Sequence, residues 1–194
     1  AVSAAQTLLI AALMANLVRR RRAERSLGQS ELRVMLATQA ARLGVWELNT
    51  TTNEVWTSDM ARELFEFGKE GGVDRAMIRE RVHSEDRDAR EAIIDQAINR
   101  HGAYEIEYRL LLENGATRWI SGRGRWMEDE DGQPGRLIGV SMDVTERKEA
   151  QELFRLATEA SPNGMLLVDD RGLIALANAH ILELFGYERD AVMG

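Results

Sequence analysis

Between residues 103 and 111, hydrophobic and polar positions alternate with a period of two. Tyr104, Ile106, Tyr108 and Leu110 fall on one face and Glu105, Glu107 and Arg109 on the other, the pattern of a half-buried strand. Asn114-Gly115 follows as a strong hairpin signal and leads into TRWISGRGRWM at 117–127. The run EDEDGQPG makes the next turn, and RLIGVSM at 136–142 is the last strand, with Ile138, Val140 and Met142 expected on its apolar side. Upstream, GVWELN (44–49) and NEVWTS (53–58) are β-rich runs around a polar turn. Between these two groups the period changes to that of a helix. Ser58 and Asp59 can cap a short helix carrying Met60, Leu64 and Phe65 and closed by Gly68, and Asp74 a second carrying Met77, Ile78 and Val82. Ser84 begins a third, with Glu85 and Asp86 in its first turn. Its stripe is Ala89, Ile93 and Ala97 with Ile94 and Ile98, and Gly102 ends it. Two strands, short helices, one longer helix and three hairpin-linked strands predict an α+β domain, one antiparallel sheet with its helices over one face.

The pattern also repeats. LATQA at 36–40 recurs as LATEA at 156–160, and at the same offset of 120 Gly44 matches Gly164 and ELFEF (63–67) matches ELFGY (183–187). One full unit, 36–146, is thus followed by a connecting helix, 147–163, and by the opening part of a second unit, 164–194. At the junction, Asp143 is expected to cap the connecting helix, with Glu146 three residues on in a capping-box arrangement. Within that helix Ala150, Leu153, Ala157 and Ala160 fall at spacings of 3, 4 and 3. Such a seam suits either a coiled coil with a second copy or packing on the helix's own sheet.

The first 18 residues carry no charge and Arg19, Arg20, Arg21 and Arg22 follow. The run matches the C-terminal part of a transmembrane helix, with 19–35 as a basic juxtamembrane and linker helix. The positive-inside rule then places everything after Arg22 in the cytoplasm. The competing reading is an Ala-rich helix that stays out of the membrane.

Composition narrows the chemistry. A net charge of −7 argues against nucleic acid as a partner. The absence of cysteine excludes disulfides and thiol chemistry, and three histidines, His83, His101 and His180, are not at metal-ligand spacing. No P-loop, glycine-rich phosphate cradle or Ser/His/Asp constellation is present, so the chain is not expected to be an enzyme in itself. Trp46, Trp56, Trp119 and Trp126 lie in alternating runs, where packing on the sheet suits them better than a stacking platform. Trp46 and Leu48, with Ile94, Ile98 and Tyr108, are the expected lining of a ligand pocket.

Taken together, GVWELN, ELFEFG, VHSEDRDA, YEIEYRLLLENGATRWISGRG, DEDGQPGRLIGVSMDVTERK and GMLLVDDRGLIALANAHILELFGYE resemble the PAS sensor family in its bacterial membrane-kinase form. DVTERK is the most specific piece, similar to the Asp-Ile-Thr-type motif that ends PAS domains. The resemblance implies a five-stranded sheet with a small-molecule pocket under its helices, and output through the flanking helices. The junction residues Asp143, Val144, Thr145 and Glu146 are then the expected signal relay, the helices on both sides of the unit lead to the expectation of a homodimer, and the N-terminal run to that of an anchor in the bacterial inner membrane. The parent is then a histidine kinase or nucleotide cyclase with its catalytic domain downstream. Photoadduct and thioester chromophores of the family need a cysteine and are excluded. Three alternatives stay open for the module: a sensory relay, a ligand-free dimerisation spacer passing on a signal from outside the membrane, or a sensor with non-covalent haem or flavin, His101 being the candidate haem ligand.

Overall fold

The computed structural model describes residues 16, 20, 25, 28, 29, 31–128 and 135–192. The chain divides into two units, Ala1–Asp143 and Val144–Gly194. In the first, helix α1 (residues 31–40) precedes β1 (Gly44–Asn49) and β2 (Glu54–Thr57). Then come α2 (Asp59–Leu64), β3 (Val73–Asp74), α3 (Arg75–Arg81), α4 (Arg87–Asn99), β4 (Ala103–Leu111), β5 (Thr117–Met127) and β6 (Arg136–Asp143). The strands form one sheet in the order β3-β2-β1-β6-β5-β4, every neighbouring pair antiparallel. All five expected strands are therefore present, and the two-residue β3 extends the edge. Val55, Tyr108, Leu110, Ile120 and Leu137 from the sheet meet Leu64, Ile78, Val82, Ile94 and Ala97 from the helical side to make one core. Each of the valine, leucine and isoleucine side chains among them contributes about 1.5–3 kcal/mol of burial.

Several local expectations are corrected. On β6 the core side carries Leu137, Gly139 and Ser141 rather than Ile138, Val140 and Met142. The ring of Trp46 lies over Gly139, where a Cβ would sit 2.3 Å from its Cζ2. Beneath that ring Gly139 has to be small, so Leu137 is the one large apolar residue on the core face of β6, and hydrophobicity alone points to the wrong face. Helix α4 starts at Arg87, not Ser84. Asp86 instead accepts from the backbone N–H of Arg109 (2.8 Å) and from its guanidinium (2.6 and 2.9 Å), charge-assisted bonds stronger than a neutral cap. The buried positions of α4 are Arg90, Ile94 and Ala97, while Ala89 is exposed. Helices α2 and α4 end through Glu66 (φ 54°) and His101 (φ 50°), not through Gly68 and Gly102. The bonds Phe67 N–H to Arg62 C=O (2.8 Å) and Gly102 N–H to Ala97 C=O (2.9 Å) close each end, which fixes where the left-handed residue falls.

The inner-membrane assignment is also corrected. Among the described residues no helix is long and apolar enough to cross a membrane. Of the expected span, 1–18, only Asn16 is described, and Arg19, Arg21 and Arg22 lie outside the described residues, whereas Arg20 is helical and exposed.

The second unit holds α5 (Thr145–Glu159), the hairpin of β7 (Leu166–Val168) and β8 (Ile174–Ala177), α6 (Ala179–Phe185) and α7 (Arg189–Val192). Its hairpin and α6 follow β1, β2 and α2 at the offset of 120, with the same pairing of Leu166 to Ala177 as of Trp46 to Thr57 and a register shift after Leu167. Ser58 Oγ accepts from the N–H groups of Val45 (3.0 Å) and Ala61 (3.3 Å). Asn178 Oδ1, 120 residues on, accepts from Met165 (2.9 Å) and Ile181 (3.1 Å). A Cβ on Gly44 would meet Ala61 Cα at 2.7 Å, and one on Gly164 would meet Ile181 Cδ1 at 2.6 Å. Both glycines permit the same close approach of strand to helix.

Candidate ligand cavity and output junction

Between the sheet and α2–α4 of the first unit lies a cavity of about 30 Å³, room for roughly two waters. Trp46, Leu48, Ile94 and Tyr108 line it, whereas Ile98 packs against the core elsewhere. Leu48, Val55, Phe65, Ile94 and Leu137 supply an apolar wall, and Thr57, Arg75, Arg90, Tyr104, Tyr108 and Ser141 supply polar groups. The Trp46 indole donates to Ser141 Oγ at 3.1 Å and its ring stacks near Tyr104, centroids 6.4 Å apart.

Arg90 dominates the polar side. It is 7% exposed, its guanidinium carbon lies 4.9 Å from the Tyr108 ring centroid, and its Nη1 donates to Glu91 Oε1 at 2.6 Å. Burial works against the cation, but Tyr108, Tyr104 and Glu91 around it outweigh that and raise its pKa. The Tyr104 phenol is pushed well above its ordinary range, chiefly by burial. Glu91 in turn accepts from Arg75 Nε through its other oxygen (2.7 Å), and Arg75 Nη2 donates to Asp95 (2.6 Å). Arg75 lines both the cavity and an open surface cleft bounded by Asp74, Arg79, Glu91 and Asp95. Two polar atoms are buried without a partner among the lining residues, Arg90 Nε and Thr57 Oγ1.

Arg75, Thr57, Arg90, Tyr104 and Ser141 were not among the residues expected from the sequence. For Arg90 the signal was available: it lies four and seven residues before Ile94 and Ala97, on their stripe. A charged residue in that register is the mark of a buried functional or ion-paired group.

Haem and flavin do not fit these residues. Either needs a site on the order of several hundred Å³. His101 stacks on Trp126 with ring centroids 3.8 Å apart, and it is not a lining residue.

At the other end of the sheet, β6 reaches Asp143 and α5 begins at Thr145, with Val144 alone between them. Val144, not Asp143, is the N-cap of α5 and provides no side-chain bond there, so the capping box does not form. Asp143 Oδ2 lies 3.3 Å from Arg118 Nε on the neighbouring strand β5. Arg118 also donates to the carbonyl of Leu64 at 2.6 Å, the last residue of α2.

A twisted antiparallel sheet with short helices over one face, repeated in part and ending on an Asp-Val-Thr step into a helix, defines a small sensory-type α+β module. The chain belongs to the PAS family: the PAS fold matches residues 55–141 and, a second time, 152–194. It is 32% identical to the Non-motile and phage-resistance protein of Caulobacter vibrioides over 86% of this chain and 21% of that protein. It is 26% identical to Sensor protein FixL of Bradyrhizobium diazoefficiens over 78% of this chain and 32% of that protein. The chain therefore spans about a fifth to a third of these curated relatives. Among solved structures, a sensory box histidine kinase/response regulator from Burkholderia thailandensis matches with a TM-score of 0.54 and 26% identity, covering 64% of this chain and 94% of that one.

Proposed function

We propose that the chain is a PAS sensory and relay module of a larger signalling protein, a histidine kinase in the reading favoured here, with its output domain downstream in the same polypeptide. The observation that carries this reading is the junction: one residue separates β6 from α5, and Arg118 ties Asp143 to the end of α2. A displacement of the sheet then has no slack in which to dissipate before it reaches the helix. Asp143, Val144, Thr145 and Glu146 are the relay in this account. The exposed Leu153 and Leu156 of α5 support pairing with a second copy, since parallel helices that bury such residues transmit rotation or piston shifts. Inserting two glycines after Thr145 in the parent protein is expected to uncouple its output from its input. Unchanged signalling would overturn the relay. A second reading, a dimerisation spacer with no ligand, is favoured by the small volume of the cavity.

A further inference from the structure

Of the described residues of α5, Thr158 in the last turn is alone in being buried, whereas Leu153, Phe154 and Leu156 are exposed. Motion carried along the helix therefore enters the hairpin and α6 through that turn. Two side chains hold it there. Asn178, the buried N-cap of α6, has two donors and two acceptor positions and uses all four. Its Oδ1 takes the N–H groups of Met165 and Ile181, and its Nδ2 donates to the carbonyls of Thr158 (2.9 Å) and Asn163 (3.0 Å). Glu159, the last residue of α5, accepts from the N–H of Ala179 at 2.8 Å through one oxygen and from the Arg189 guanidinium through the other. The Ala179 N–H, and after it Arg189, hold the Glu159 carboxyl below its ordinary range and keep this bridge charged.

The first unit is built differently at the same places. The residues 120 positions earlier are Ser58, Gln39 and Lys69. Ser58 makes the two accepted bonds, from Val45 and Ala61, but a hydroxyl has no amide donors to offer. The Thr38 carbonyl is reached by the N–H of Leu43 instead (2.8 Å), and the neutral Gln39 cannot form an ion pair with Lys69. We infer that Asn178 and Glu159 are positioning residues of a clamp that joins α5, the β7–β8 hairpin and α6 into one lever, so that a displacement arriving along α5 is handed to the second unit undamped. The clamp's part in signalling rests on the relay reading given above; the clamp itself does not.

The 194-residue chain has no cysteine, so spin labels at Gln151→Cys on α5 and Glu183→Cys on α6, both exposed positions, report a single distance distribution by pulsed electron paramagnetic resonance. Asn178→Ser installs the first unit's residue: it keeps the cap on α6 and removes both donations to α5 and its loop. The distribution is expected to widen about twofold and amide exchange at Glu159, Ala160 and Ser161 to rise about tenfold, the worth of one hydrogen bond, while the amides of Met165 and Ile181 stay protected. Glu159→Gln, at a partly exposed residue, keeps an acceptor for Ala179 but loses the ion pair, and should widen the distribution less. Unchanged widths in both variants would overturn the clamp, and so would a loss of protection at Met165 and Ile181 as large as that at Glu159. In the parent protein, Asn178→Ser should weaken the coupling of output to input, as the two-glycine insertion after Thr145 does. Output still coupled in Asn178→Ser but uncoupled by the insertion would overturn the clamp's part in signalling and leave the relay standing. Output coupled in both would remove the relay reading, with the label distances still deciding the clamp.

Discussion

Phe65 in the first unit and Phe185 in the second occupy the same helix position 120 residues apart, yet they are 4% and 65% exposed. Leu64 and Leu184 beside them are 7% and 67% exposed. The local backbone around these pairs is the same. Phe67 N–H reaches Arg62 C=O at 2.8 Å and Tyr187 N–H reaches Leu182 C=O at 3.0 Å, and the residue before each, Glu66 and Gly186, is left-handed. Caps, turns and the glycine contact are written within about two dozen residues and form in both units. Burial is not local. It needs β4–β6 with α3 and α4 in the first unit, and the described part of the second unit has no counterpart of these elements.

The widest gap is expected at the phenylalanines. Phe65→Ala should cost about 3–5 kcal/mol in chemical denaturation, and Phe185→Ala within about 0.5 kcal/mol. Similar losses would mean that Phe185 is covered by something beyond its own unit. The caps should rank the other way. Asn178 is 1% exposed and its amide also donates to the carbonyls of Thr158 and Asn163, so Asn178→Ala should cost about 2–3 kcal/mol. Ser58→Ala, which loses a hydroxyl cap alone, should cost about 1 kcal/mol. Hydrogen exchange read separately for each unit checks both, and a larger loss at Ser58 would break the ordering.

Asp86 makes the first unit acid-sensitive. Its hydrogen bonds to the Arg109 side chain hold its pKa below the ordinary 3.8 despite burial. A lowered folded pKa means that its contribution is present above the unfolded value and lost as pH falls through the folded one. Asp86→Asn should cost about 2 kcal/mol at pH 7 and flatten the fall of stability below pH 3.8; an unchanged acid limb in a pH-melt series would remove Asp86 as its source. The smallest effect is expected at the left-handed caps. Gly186→Ala should cost about 1 kcal/mol. Glu66→Gly should come out near zero, because relief of the backbone is offset by loss of the bond from Glu113 N–H to its carboxylate (2.8 Å). A clear melting-temperature gain from Glu66→Gly would show that this bond is worth little.

What the residues revealed in advance follows the same division between local and distant causes. Strand β4 was legible because its alternation reports directly on one buried face, and the repeat because ELFEF and ELFGY keep their spacing. Strand β6 was misread because its core face is shaped by Trp46, which lies opposite Gly139 in the register but about ninety residues away in sequence. The start of α4 was misplaced because Asp86 has a better partner on β4 than at the helix end. Trp46, Leu48, Ile94 and Tyr108, expected at a pocket, do line the cavity, and their hydrophobicity suffices to bring them inward. Arg90, Thr57 and Ser141 are polar, and nothing short of the fold says that they face the same space.

The pairing of Trp46 with Gly139 also sets the order in which the first unit can assemble. The β1–β2 and β4–β5 hairpins close short loops, but joining Gly44 to Ser141 closes one of nearly a hundred residues at an entropic cost of roughly 4 kcal/mol. We expect the β1–β6 seam to form after both hairpins, so that widening Gly139 to Ala speeds unfolding and leaves the folding rate almost untouched. A slowed folding limb in that variant would instead place the seam in the rate-limiting nucleus. The residue that shapes the cavity wall would then also time its closure.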